Sequence, residues 1–385
     1  MTQPRAARVA AELTRIQAFF PIMQLLGNRL AATRPFQGQT IGMSAHLTTY
    51  TAALVQELRL GGGEWAICAA SDATTDQGVV ELLRANGVHV YTSASREDHH
   101  LQVLDHRPTL LAEAGGNLVG TLLSKCRDQV GEVKGAVELT RSGVNRLRAS
   151  GHSLPFPVVN VTDGRLKPAI ENRHGVGEGL WHAVQRLTGV HLSGRRVGVV
   201  GYGPVGKGVA AYARAAGAMV SVVEAEPVRR LVAHYDGYPT PDITEVMQTV
   251  DFVVTATGRA GAVGIEAIRK ARNGIVLMNS GTGNRELDVD GIRANAAGFD
   301  QIGDHVTAYQ LEDGPRVVLL ADGHPLNIVM NAGSPEPVLL HFAALGLAMS
   351  WVMTGDLSPG EHIVSDEVER DAARLALKAL GQDAR

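Results

Sequence analysis

The stretch Arg195-Arg-Val-Gly-Val-Val-Gly-Tyr-Gly-Pro-Val-Gly-Lys-Gly208 decides the fold. Its apolar run at 197–200 breaks into Gly201-x-Gly203-x-x-Gly206, and an alanine-rich helical pattern follows at 209–217. A second apolar run at 219–223 ends at Glu224, 23 residues beyond Gly201. Strand, glycine turn, helix, strand and acid in this order form a dinucleotide-binding fingerprint. The glycines permit a sharp turn and close approach to a pyrophosphate, whose charge is met by a helix N-terminus. Glu224 is placed to accept from an adenosine ribose diol, and a carboxylate there disfavours an added phosphate, so NAD is the cofactor expected. A glycine triplet alone would be no more than a turn; the acid closing the second strand makes it a site.

Strand and helix patterns alternate on both sides of this unit. Before it, strands are expected at 40–43, 65–69, 87–91, 109–112, 135–137 and 155–161. Helical spacing covers 5–33, 48–60 and 78–86, with further helices near Leu118 and Ser142. After it come strands at 251–255, 274–278 and 317–320 and helices at 338–353 and 365–380. Two of the later strands end in Thr255-Ala-Thr257-Gly258 and Asn279-Ser-Gly281-Thr282, polar and glycine residues of the kind that line a ligand at strand carboxyl ends. The segment 168–190 reads as a hinge near 172–179 entering a long helix, with a second hinge at 333–337. The architecture expected is α/β with parallel, doubly wound sheets in two domains. A substrate-binding domain spans 1–165, a Rossmann domain spans 176–332, and C-terminal helices at 336–385 pack back on the first.

Composition narrows the function classes. At 385 residues the chain can build two full cores, and 45% hydrophobic with 19% charged residues is globular usage. A net charge of −3 gives no basic field for nucleic acid. Two cysteines, Cys68 and Cys126, exclude a disulfide framework and a multi-cysteine metal site, and no metal is expected. Cys68 lies in an apolar strand and reads as core. With no signal-peptide core and no apolar run read as long enough to span a bilayer, a membrane partner is not expected and a reducing cytoplasm is.

Several stretches together resemble the S-adenosylhomocysteine hydrolase family over about 39–335. They are Ala45-His-Leu-Thr48, Gly115-Gly116, the 135–147 segment, Asn160-Val-Thr-Asp163, Lys167-x-x-x-Glu171-Asn172-x-x-Gly175, the fingerprint, Thr257-Gly258, Asn279, and Leu319-Leu-Ala-Asp-Gly323 with Asn327. The resemblance implies transient oxidation of a ribose 3′-hydroxyl, removal of the C4′ proton, departure of the 5′ group and re-reduction, with NAD tightly bound and recycled within the turnover. It implies a small adenine-nucleoside-type substrate and a homo-oligomer, a dimer or tetramer. Lys167 matches the lysine at the 3′-oxygen; without the motif it would read as a solvated loop lysine. Glu171 takes an aspartate position, one methylene longer, and Asn172 matches the asparagine near the nicotinamide. His46 matches an acid–base histidine near C5′. Thr48 matches a base contact and reads equally as a helix N-cap. With Lys167 and Glu171, the substrate set includes Glu138 and Leu139. The cofactor set implied is Thr140, Ser142, Asn172, Gly201, Gly203, Pro204, Val205, Gly206, Lys207, Gly208, Glu224, Arg229, Thr257, Gly258, Ser280, Gly281, Thr282 and Asn327.

The departures from that pattern bear on the reaction. Ala114 stands at a catalytic aspartate position, Asn117 at a second acid, Leu139 at a glutamate that helps hold the ribose diol, and Val176 at a cysteine near the nicotinamide. Thr282 and Ser334 are read at histidine positions, the latter as that of a Gly-His-Pro turn. The chain ends at Arg385, before the tail whose Lys and Tyr reach a neighbouring subunit in the family. Glu113 and Glu138, each beside a lost acid, are candidate replacements. The expected activity is a dehydratase or lyase giving a 4′,5′-unsaturated nucleoside. The alternatives are the ordinary hydrolase and a catalytically inactive NAD-binding regulator.

Overall fold

Around the fingerprint, the valine-rich strand Arg196–Val200 pairs in parallel with Met219–Val223 on one side and Phe252–Thr255 on the other. These pairings come from a computed structural model that describes residues 4–92, 95–281 and 283–382. The sheet continues in parallel through Ile275–Asn279 to Arg316–Leu320, then turns antiparallel through Val306–Leu311 and Ala296–Gly303. That antiparallel edge was not expected. Its hairpin turns at His305, whose φ of 59° is left-handed, and its outer strand is exposed almost throughout, so it lacks the apolar run that marks the inner strands.

The other sheet is wholly parallel. In spatial order it runs Gly360–Ile363, Pro157–Asn160, Gly135–Glu138, Leu110–Glu113, Thr40–Ala45, Glu64–Ala69 and His89–Tyr91. The parallel strands of each sheet reverse their order once, between Thr40–Ala45 and Leu110–Glu113 in this one and between Arg196–Val200 and Phe252–Thr255 in the other. Outside the carboxyl ends at such a switch point an open α/β sheet binds its ligand.

The chain divides into two compact units, Met1–Lys167 with Pro335–Arg385, and Pro168–Ser334. The first has a core that includes Cys68, Leu111, Leu118 and Val158, and the second one that includes Val199, Val222, Val254 and Met278. Burial pushes the Cys68 thiol up to about 12, so it behaves as an apolar group.

Three readings of the sequence change. The single helix expected over 5–33 is two, Arg5–Phe19 and Ile22–Thr33, broken at Pro21, which has no N–H to continue the ladder. The hinge expected near 172–179 is helical: a π-helix, Lys167–Val176, runs directly into the α-helix Gly177–Thr188. Among the described residues one apolar helix is long enough to cross a bilayer, the 20-residue Pro335–Thr354, but it is mostly buried as a core helix of the first unit, against Ile22–Thr33 and Thr49–Leu58.

Candidate functional site

In the first unit, His46, Ala114 and Leu139 directly follow three neighbouring strands, Thr40–Ala45, Leu110–Glu113 and Gly135–Glu138, and so share one sheet edge. His46 Nδ1 lies 2.6 Å from Thr74 Oγ1. The same hydroxyl lies 3.2 Å from the Ser71 carbonyl, so Thr74 ties the ring to the Ser71 backbone. Thr51 Oγ1 fixes the His46 backbone by donating to its carbonyl at 2.5 Å. Thr48 caps the helix Thr49–Leu58, its Oγ1 accepting from the Thr51 N–H at 3.4 Å.

Glu138 was expected on the substrate and as a replacement acid. Its carboxylate is instead 1% exposed and taken up by the backbone. It accepts from the N–H groups of Gly115 at 3.0 Å, Gly116 at 2.8 Å and Thr140 at 2.7 Å, and from Thr140 Oγ1 at 2.7 Å. Glu113, its register partner on the adjacent strand, accepts from the N–H groups of Leu118 and Val119 at the start of the helix Asn117–Lys125. Burial first, then the Glu138 charge, raises Glu113 to about 8. Burial likewise raises Glu138. Asn117 accepts from Arg146 at 2.7 Å. Thr140 and Ser142, expected on the cofactor, build the cap of the helix Arg141–Ala149, where Thr140 Oγ1 accepts from the Gly143 N–H and the Ser142 hydroxyl.

Lys167 is the first residue of the π-helix, a rare conformation that concentrates at functional sites. Its Nζ donates to the Leu139 carbonyl at 2.8 Å and meets His341 Nε2 at 3.0 Å. The Leu139 side chain is 6% exposed.

In the second unit the helix Pro204–Ala215 starts at the glycine turn, with Pro204 in its first turn, and Val205 and Lys207 lie within that turn. Gly201 has a φ of 101°, and a Cβ there would meet the Ala256 carbonyl at 2.7 Å. A Cβ on Gly206 would overlap the Gly201 carbonyl, whereas one on Gly203 would stand in open space. Gly208 packs so closely on the Arg173 carbonyl that a Cβ would overlap it, and one on Gly177 would come within 2.6 Å of the Gly208 backbone. This seam holds the turn's helix against the segment that carries Glu171 and Asn172, both half-buried. Glu224 Oε2 accepts from the Tyr202 N–H at 2.7 Å, tying the second strand's end to the turn. Arg229 is exposed in the next helix, Pro227–Tyr235.

The neighbouring strand ends are held by a residue the sequence reading missed. Glu286, 1% exposed, accepts from the Thr257 N–H and Oγ1 and from the Gly258 N–H, each at 2.8 Å. Gly281 N–H donates to Asn279 Oδ1 at 2.7 Å. Ser280 Oγ and Asn327 Oδ1 are buried with no hydrogen-bond partner in the protein. Thr282 lies outside the described residues. Open space at Gly203, a helix N-terminus beside it and two orphaned buried polar atoms suit a dinucleotide, so the residues present fit NAD.

Residues 172–333 match the family model described as S-adenosyl-L-homocysteine hydrolase, NAD binding domain. Over 372 residues, 94% of this chain and 88% of the relative, the chain is 33% identical to a protein of Methanopyrus kandleri named S-inosyl-L-homocysteine hydrolase. It is 33% identical over the same shares to an adenosylhomocysteinase of Nostoc sp.. To the adenosylhomocysteinase of Thermotoga maritima it is 32% identical over 376 residues, 95% of this chain and 93% of that one. With a Rossmann unit fitted for NAD, the chain belongs to the S-adenosylhomocysteine hydrolase (adenosylhomocysteinase) family.

Proposed function

We propose that this chain is an NAD-dependent enzyme acting on a small adenine-nucleoside-type substrate, and that it releases a 4′,5′-unsaturated nucleoside as a dehydratase or lyase. An unactivated C4′–H resists a base at neutral pH, whereas one beside a 3′-ketone is acidic enough to be removed. NAD, when bound, supplies a hydride acceptor at the sugar that returns the hydride later in the same turnover, so it stays bound. In this reading Lys167 moves the 3′-hydroxyl proton, Glu171 accepts from a sugar hydroxyl, and Asn172 orients the nicotinamide end. His46 Nε2 serves the atom that leaves C5′. The C4′ proton and the 5′ group depart together as HX, with no net redox change. Thr48 lies toward the base, and Leu139 shapes the sugar pocket.

The observation that carries this reading is the unequal fate of the acid–base groups. Lys167 and His46 are present and oriented by neighbours. Ala114 and Leu139 carry no acid, and the acids beside them, Glu113 and Glu138, accept backbone N–H groups and are buried. The groups that would add water back are the ones not rebuilt. A second reading, hydrolysis of a nucleosyl-homocysteine, is favoured by the near-full-length similarity to hydrolases, and the Methanopyrus relative's name sets hypoxanthine beside adenine as the base.

Purified protein incubated with S-adenosylhomocysteine, S-inosylhomocysteine and adenosine analogues bearing other 5′ groups, with products followed by mass spectrometry, decides between them. An alkene product supports the lyase; a nucleoside with one added water, plus free homocysteine, replaces it with the hydrolase. Lys167→Ala is expected to lower turnover by at least about 100-fold, the usual range for a proton-transfer group. If Lys167→Ala leaves a cellular role intact, the chain is an NAD-binding regulator. A homo-oligomer in the cytoplasm goes with this proposal on the family's pattern, and light scattering tests the oligomer.

A further inference from the structure

His341 sits in the helix Pro335–Thr354 and is 4% exposed among leucines and alanines. A polar ring in such a place is costly unless it has a partner. The partner is Lys167: Nε2 lies 3.0 Å from Nζ. An ammonium cannot accept, so opposite charged Lys167, Nε2 presents its lone pair and the ring proton is on Nδ1, which is buried with no hydrogen-bond partner in the protein. Burial, and then the Lys167 charge, hold this imidazole well below its ordinary value, so it remains neutral. Nζ is thereby gripped from two elements, the carbonyl that follows the strand Gly135–Glu138 and the C-terminal helix.

We propose that His341 is a positioning residue for Lys167, fixing Nζ for proton transfer at the sugar 3′-oxygen. The inference rests on the role given to Lys167 above. The choice of a neutral ring has a physical reason. Lysine must alternate between ammonium and amine, and a carboxylate in this place would favour the ammonium and retain the proton. A neutral acceptor holds position in both states, because either form still has an N–H to donate.

The test compares His341→Leu, close in volume but without an acceptor, with His341→Gln, whose amide oxygen reaches about as far as Nε2. Turnover is measured on whichever of S-adenosylhomocysteine and S-inosylhomocysteine the enzyme converts, alongside NAD binding and thermal stability. The leucine variant is expected to lose at least about tenfold in kcat with KM and NAD affinity within about twofold, and glutamine to regain most of it. In a Lys167→Met background, His341→Leu should add no further loss. Equal losses in the leucine and glutamine variants, or none in either, overturn the proposal. Should leucine prevent folding, His341→Asn, too short to reach Nζ, takes its place, and activity equal to that of the glutamine variant overturns it. Full turnover in Lys167→Ala would sink the functional reading itself, whereas a dead Lys167→Ala with an active His341→Leu sinks only this inference.

Discussion

Glu113 and Glu138 face each other across paired strands, two carboxyl groups brought together away from water. Because the folded state raises Glu113 to about 8, it keeps a proton that the unfolded chain releases near 4.5. The stability this contributes is fully present below about 4.5 and is lost as pH rises through about 8. Glu113→Gln, which keeps the shape and one acceptor, should flatten that decline, as read by denaturant unfolding across this window; an unchanged slope would place the proton elsewhere. His341 works in the opposite sense. Its depressed folded value means stability is lost as pH falls below 6.5, and His341→Leu should flatten that acid limb. At this scale the sequence was legible only where a residue belonged to a motif. Lys167, His46 and Asn172 could be picked out because their spacing matched a family pattern. Thr74, Glu286 and His341 could not: each acts through a fold contact with a residue 28 to 174 positions away, inside a stretch that reads as turn, charged loop or core helix.

Among the elements, the glycine turn separates two kinds of substitution. Gly203 has φ −74° and open space at its Cβ, so Gly203→Ala should leave the stability of the NAD-free protein within about 0.5 kcal/mol. If the turn holds the dinucleotide as proposed, the added methyl enters its space, and NAD affinity should fall at least about tenfold. Gly206→Ala instead drives a methyl onto the Gly201 carbonyl and should destabilise the unit with or without NAD. Thermal melts of both variants, with and without NAD, distinguish the two, and a Gly203→Ala protein with undiminished affinity would mean the dinucleotide lies elsewhere. Strands that read well from sequence, such as Arg196–Val200 and Phe252–Thr255, are those buried on both faces. The antiparallel hairpin did not read because one of its strands faces solvent almost throughout. The π-helix did not read because nothing local distinguishes a wide helical turn from a hinge.

At the scale of the whole molecule, two cores and two sheets mean that a ligand held by one unit should protect that unit first. At a hundredfold excess over its dissociation constant, NAD should stabilise the folded state by about 2.7 kcal/mol. Hydrogen exchange should show that protection first in the strands Arg196–Val200, Met219–Val223 and Phe252–Thr255; protection confined to the other sheet would contradict the assignment. The parallel character of both sheets and the place of the fingerprint were legible because they follow from long apolar periodicities. The placement of Pro335–Thr354 in the first unit is carried by no local pattern in the sequence. The seam where Gly177, Gly208 and the Arg173 carbonyl meet sets the terms on which such a protein can diverge. A side chain at either glycine would run into backbone atoms, so each methyl added there forces the turn's helix away from the segment that carries Glu171 and Asn172.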